Sequence, residues 1–170
     1  ENYVDLKFTA PAAVGGTVTI TPNITSSYFT LVNKMKVVEK GGANIDMYRP
    51  IFSNTITLSG QMAAGSAAQE RTPTITNPTL FYVTVLTEVL REEGIAVDGK
   101  PMDCDDIEGW NHKAADFTEL AKLESPPLFD ILKGLMKRSQ NMYAETMVHT
   151  MGWKKDGLGT FRGGSKVVKE

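Results

Sequence analysis

The 170-residue chain has a single cysteine, Cys104. It therefore forms no internal disulfide and no multi-cysteine metal site, and the redox compartment is left open. Long apolar runs are missing too. The longest, Leu80 to Val83, is far short of the roughly 18 residues that a membrane-spanning helix requires. Neither sign of charge dominates: 18 basic residues face 20 acidic ones, and no basic block occurs. A phosphate-tracking surface is not indicated, which argues against nucleic acid as a partner. Histidine is scarce, with only His112 and His149 present, so a histidine-based triad has few candidates, and surface or capping roles suit them better. The first residues, Glu1-Asn2-Tyr3, include neither an initiator methionine nor an apolar signal segment, which is compatible with a trimmed or excised segment. What is present, 41% apolar and 22% charged residues, is the composition of a folded globular chain.

The two halves differ in pattern, with the change near residue 76, and the expected architecture is α+β. In residues 1–76, Val4-Asp5-Leu6-Lys7-Phe8, Thr17-Val18-Thr19-Ile20-Thr21 and Thr55-Ile56-Thr57-Leu58-Ser59 alternate with period two and predict half-buried strands. Gly15-Gly16, Pro22-Asn23, Gly41-Gly42 and Gly60 read as turns, so an antiparallel meander is expected. In residues 77–170 the pattern is helical. Asn77 predicts an N-cap, Pro78 a first helical position and Gly94 a stop, with Val83, Leu86 and Leu90 on one face. Ile95-Ala96-Val97 predicts a short strand. A second helix is expected from Ser125 as cap and Pro126 as opener, with Leu128, Ile131, Leu132, Leu135 and Met136 as an apolar stripe. After the polar interruption Ser139-Gln140-Asn141, a third helix carries Tyr143, Met147 and Met151 on one face, with Gly152 as its stop.

The triplet Ser139-Gln140-Asn141 matches the Ser-x-Asn element of serine acyl-transferases. Alone it carries little, because such a triplet arises by chance in about half of chains this long, and helix capping by either residue explains it as well. Its setting is more specific. Glu124-Ser125-Pro126-Pro127-Leu128-Phe129-Asp130-Ile131-Leu132-Lys133 followed by Met136-Lys137-Arg138-Ser139-Gln140-Asn141-Met142-Tyr143-Ala144-Glu145 resembles the D-alanyl-D-alanine carboxypeptidases/endopeptidases of the low-molecular-mass class C penicillin-binding proteins. Glu93-Gly94-Ile95-Ala96-Val97-Asp98-Gly99 and Gly159-Thr160-Phe161-Arg162-Gly163-Gly164-Ser165 agree with it.

The resemblance implies a serine, activated by the lysine of a Ser-x-x-Lys motif, that attacks the penultimate D-Ala carbonyl; water then hydrolyses the acyl-enzyme. It implies that the Ser139 hydroxyl relays a proton toward the leaving amine or the general-base lysine. It implies that the Asn141 carboxamide holds the substrate's peptide carbonyl and the catalytic lysine, using its paired donor and acceptor. The partners implied are the D-Ala-D-Ala end of a peptidoglycan stem peptide and β-lactams, the location is periplasmic or otherwise extracytoplasmic, and no cofactor or metal is called for. Residues 1–76 would be a β-rich insertion segment and residues 77–170 the helical part of a transpeptidase-like domain.

The chain contains neither Ser-x-x-Lys nor Lys-Thr-Gly, the nearest triplet being Lys155-Asp156-Gly157. An internal fragment of a larger enzyme, inactive alone, is therefore expected. The alternative is a non-catalytic cell-wall-binding or scaffold module descended from such an enzyme. Helices cut away from their neighbours would expose apolar stripes, and pairing with a second copy is one way to cover them.

Other features have simpler readings. Gly159 to Lys166 is a poor phosphate-binding loop, because it ends in Ser-Lys rather than Lys-Ser/Thr; a glycine-rich loop entering a helix at Ser165 is expected instead. Asp103-Cys104-Asp105-Asp106 lacks calcium-loop spacing and reads as a solvated acidic turn. Met142, Tyr143, Met147 and Met151 at helical spacing predict core packing. Asn23-Ile24-Thr25 matches a glycosylation sequon, idle in a bacterial source.

Overall fold

A computed structural model describes residues 2–111 and 113–170, so His112 lies outside the described residues. The chain divides into two compact units, Glu1–His112 and Lys113–Glu170.

The first unit contains six strands and one helix: β1 (Leu6–Thr9), β2 (Thr19–Pro22), β3 (Thr30–Val38), β4 (Asn44–Tyr48), β5 (Thr55–Ala63), β6 (Gln69–Arg71) and α1 (Pro78–Glu92). Strand β1 is the centre of one antiparallel sheet, ordered β2-β1-β6, with Leu6 opposite both Pro22 and Arg71. Its alternation is the expected one: Leu6 and Phe8 are fully buried, while Lys7 and Thr9 face out. The second sheet is ordered β3-β5-β4. Here β4 and β5 pair antiparallel, but β3 and β5 run parallel from Thr30 opposite Thr55 to Val38 opposite Ala63. This sheet is mixed rather than a meander. Period-two patterning says which side chains bury, but not which strand is the neighbour, and β5 enters between two strands already laid down. Strands β3, β4 and β6 have no counterpart in the sequence-based expectations.

Gly60 lies within β5 rather than in a turn. Its φ is +114°, and a β-carbon there would stand 2.2 Å from the Asn44 carbonyl oxygen, so the residue is glycine because the β4 backbone passes so close. The core between the strands consists of Val4, Leu6, Phe8, Val18, Met35, Val37, Ile56, Leu58, Met62 and Ile75, all almost wholly buried.

Helix α1 starts where its sequence signals place it. Asn77 caps it, its side-chain oxygen accepting from the Leu80 amide at 2.9 Å, Pro78 opens it and Gly94 follows with φ +81°. The packed face is a different one from Val83, Leu86 and Leu90. Phe81 packs against Tyr28 and Phe29, with ring centroids 5.4 and 6.4 Å apart. Thr84 and Thr87 are buried, each hydroxyl donating at 2.7 Å to the carbonyl four residues earlier. These residues bury although two are polar, because their hydroxyls are satisfied within the helix. Leu86, on the opposite side, is exposed.

Two side chains fasten the helix to the loop before β3. The Tyr28 hydroxyl reaches the carbonyls of Thr76 and Asn77 at 2.9 and 3.1 Å. Burial, with the Asp103 charge and against a hydrogen bond from Asn54, pushes its phenol up, so it remains a donor. The Glu88 carboxylate accepts from the Ser27 amide at 2.9 Å and from the Ser27 hydroxyl. Residues 95–97 form no strand. They are irregular, and Arg91 holds this stretch by donating to the carbonyls of Val97 and Gly99 at 2.7 and 3.1 Å.

Burial acts to raise the Glu88 carboxyl, but hydrogen bonds from Ser26 and Ser27 and the Arg91 charge outweigh it and hold it below the ordinary glutamate value of 4.5. A depressed carboxyl contributes stability that is complete above the unfolded value and lost as pH falls through the lower folded one. Urea unfolding should therefore show Glu88→Gln losing less stability than wild type between about pH 5 and pH 3. Equal acid sensitivity of the two proteins would remove Glu88 from this role.

Candidate active-site corner

Among the described residues, the second unit contains a short 3-10 helix (Ala114–Asp116) and three α-helices: α2 (Leu128–Arg138), α3 (Asn141–Asp156) and α4 (Phe161–Lys169). Helix α2 begins later than its signals suggested. Pro127 is the N-cap and no side chain caps the helix, so Ser125 does not serve. Pro126 precedes another proline, which disfavours the helical region at Pro126 and delays the start. The expected apolar stripe is only partly covered: Leu128, Leu132 and Met136 are exposed, whereas Ile131 and Leu135 are half-buried.

Ser139, Gln140 and Asn141 form a tight corner between α2 and α3. Ser139 ends α2 in a left-handed conformation, φ 52° and ψ 50°, and its amide donates to the Leu135 carbonyl. The Gln140 amide donates to the same carbonyl at 3.1 Å. Gln140 is the N-cap position of α3 with no side-chain capping bond, and Asn141 is the first helical residue. Neither Ser139 nor Asn141 is therefore the N-cap of α3, although Ser139 is the C-cap of α2. Both are exposed, and among the described residues neither side chain hydrogen-bonds to protein. The corner presents a hydroxyl and a carboxamide, two donors and acceptors of different reach, to whatever approaches it. A serine held at positive φ is uncommon, and nothing in the residue type signals it.

Helix α3 does not stop at Gly152. It continues to Asp156 and ends at Gly157 with φ +78°. Gly152 is buried against α4: a β-carbon there would lie 2.7 Å from the Gly164 nitrogen and from the Thr160 carbonyl. Gly163 and Gly164 are inside α4 rather than in a loop before it, because Thr160 caps that helix by accepting from the Gly163 amide at 3.0 Å. A β-carbon on Gly164 would sit 1.8 Å from the Val148 carbonyl oxygen. The His149 ring Nδ1 donates to the Gly159 carbonyl at 2.5 Å and so ties the α3–α4 connection.

The remaining candidates have structural explanations. Lys155-Asp156-Gly157 is the end of α3. The segment before Gly159 is helix, not the strand that a phosphate loop follows. Side-chain atoms of Asp103, Cys104 and Asp105 lie within 4.8 Å of one another, but Asp103 accepts from the Asp105 amide at 3.2 Å as the cap of a single 3-10 turn. Met142 and Tyr143 are exposed rather than packed in a core. The Asn23 carboxamide accepts from the Asp5 amide at 3.0 Å.

Comparison with known proteins identifies the family to which the chain belongs. The D-Ala-D-Ala carboxypeptidase 3 (S13) family matches residues 1–170, and the chain belongs to that family. It is 30% identical over 164 residues to a D-alanyl-D-alanine carboxypeptidase of Actinomadura sp., covering 94% of this chain and 29% of that protein. Its fold is similar to that of penicillin binding protein 4 of Haemophilus influenzae. The structure of that protein alone gives a TM-score of 0.66 at 21% identity, over 99% of this chain and 36% of that one. Its complex with a β-lactam gives 0.61 at 20% identity, over 99% and 38%. The chain thus spans about a third of the length of the relatives it matches.

Because α3 and α4 touch through backbone, Gly164→Ala should destabilise the second unit by about 2 kcal/mol or more. Gly99→Ala, with open space around it, should be near neutral. Hydrogen exchange of the α4 amides is the measurement, and equal protection in the two variants would contradict the crossing.

Proposed function

We propose that this chain is part of a serine-type D-Ala-D-Ala carboxypeptidase or endopeptidase that trims peptidoglycan peptides outside the cytoplasm, binds penicillin and works through an acyl-enzyme. The family match along the whole chain carries this reading, and the exposed corner at Ser139 and Asn141 supports it. Residues 1–76 act as the β-rich insertion and residues 77–170 as part of the transpeptidase-like domain.

In this mechanism the nucleophilic serine and its lysine come from polypeptide other than these 170 residues, which hold no Ser-x-x-Lys. The serine oxygen bonds to the penultimate D-Ala carbonyl carbon, its proton passing to the lysine. The peptide bond then breaks, and the Ser139 hydroxyl, itself reprotonated from the lysine, delivers a proton to the departing D-Ala nitrogen. Water attacks the ester and restores the serine. Asn141 contributes orientation: its NH2 donates to the substrate's peptide carbonyl while its oxygen accepts from the lysine. A left-handed Ser139 turns the chain sharply enough for two residues separated by one to project from different helices. The exposed part of the α2 stripe is the surface that the rest of the longer protein covers; in the isolated chain a second copy takes its place.

The isolated 170 residues should not be labelled by fluorescent penicillin, whereas the intact enzyme containing them should be. Asn141→Ala in that enzyme should slow acylation by about a hundredfold or more. Stable labelling of the isolated chain, or an Asn141→Ala enzyme that acylates normally, would count against the assignment. Small-angle scattering of the isolated chain should report a dimer, and a monomeric profile would sink the pairing.

A further inference from the structure

Ser139 closes α2 as its C-cap and Asn141 opens α3, so the spacing of hydroxyl and carboxamide depends on the angle at which α3 leaves α2. The backbone hydrogen bonds at the corner leave that angle free. The amides of Ser139 and Gln140 both donate to Leu135, which finishes α2. The amides of Tyr143 and Ala144 donate to the Gln140 carbonyl at 3.1 and 3.3 Å, which starts α3. Between the two sets the chain turns at Gln140, whose amide belongs to the first set and whose carbonyl belongs to the second.

One side chain spans the inside of the corner. The ring edge of Tyr143, in the first turn of α3, lies against Gly134 in the middle of α2, and a β-carbon on Gly134 would be 3.6 Å from its Cε2. Glycine inside a helix costs about 1 kcal/mol relative to alanine. At Gly134 the backbone conformation does not call for it, since φ is not positive there. What the missing side chain does provide is a flat stretch of α2 backbone on which the ring can rest. Alanine would just fit at that distance; a larger side chain would push the ring away.

The geometry points to Tyr143 as a positioning residue: its ring, seated on Gly134, sets the α2–α3 angle and with it the relative placement of the Ser139 hydroxyl and the Asn141 carboxamide. This rests on the reading of Ser139 and Asn141 as the catalytic pair. The contact uses the ring and not the phenol oxygen, so phenylalanine should replace tyrosine and alanine should not.

The test is the penicillin acylation rate of the intact enzyme carrying Tyr143→Ala, Tyr143→Phe, Asn141→Ala and the Tyr143→Ala/Asn141→Ala pair. A misplacement of about 1 Å costs on the order of a hundredfold, so Tyr143→Ala should slow acylation by about that factor. Tyr143→Phe should remain within about threefold of wild type, and the double variant should be no slower than Asn141→Ala by more than about threefold, because Tyr143 acts through the same group. If the two losses multiply, Tyr143 is a general stability residue and the inference fails. If Asn141→Ala is slow while Tyr143→Ala is normal, the positioning role fails and the catalytic assignment stands. If Asn141→Ala is itself normal, the catalytic assignment fails first. Gly134→Leu, which keeps Tyr143 but removes its seat, should slow acylation like Tyr143→Ala and carries the same test if that variant does not fold.

Discussion

The close crossing of α3 over α4 is the contact on which the second unit depends. Among the described residues of that unit, the only fully buried ones are Gly152, Gly163 and Gly164. No buried apolar side chain joins them, and every member of the main hydrophobic core belongs to the other unit. The second unit is therefore held by backbone laid on backbone, with Thr160 capping α4 and His149 tying the connection. Dispersion at such short range is individually weak and collectively useful, but it tolerates no added atom. Helices α2 and α3 also expose large apolar side chains, Leu128, Phe129 and Met136 on the first and Trp153 on the second.

The first unit is organised in the opposite way. Its order comes from side-chain burial: β1 contributes Leu6 and Phe8, β3 Met35 and Val37, and β5 Ile56, Leu58 and Met62. Helix α1 joins that core through one aromatic, Phe81, and is fixed by polar contacts at Tyr28 and Glu88. The polar contacts orient a helix whose apolar burial is small, so a charged carboxylate and two serines do work that aliphatic packing does elsewhere.

Much of this was legible from residue order, though unevenly. Asn77-Pro78 and Gly94 announced α1, because capping is local chemistry. Alternation at Leu6–Phe8 and Ile56–Leu58 announced which residues bury. The motif setting around Ser139-Gln140-Asn141 led to the family. What misled were the glycines. Gly60 and Gly152 read as a turn and a stop, since glycine has the same freedom in a turn as at a close contact, and only the neighbour that approaches distinguishes them. The inward face of α1 was misread for a related reason: Thr84 and Thr87 look polar until their hydroxyls are seen returning to the helix backbone.

Local physics thus settled the start of α1, the buried side of the β1 and β5 strands and the residues that carry the family resemblance, because caps, side-chain alternation and residue chemistry act over a few neighbours. Tertiary structure decided the parallel pairing of β3 with β5, the left-handed turn at Ser139, the seat of Tyr143 on Gly134 and the glycine crossing of α3 with α4. Each of these depends on an atom distant in the chain, or on a backbone angle that the residue type disfavours, and neither leaves a periodic mark in the order of amino acids.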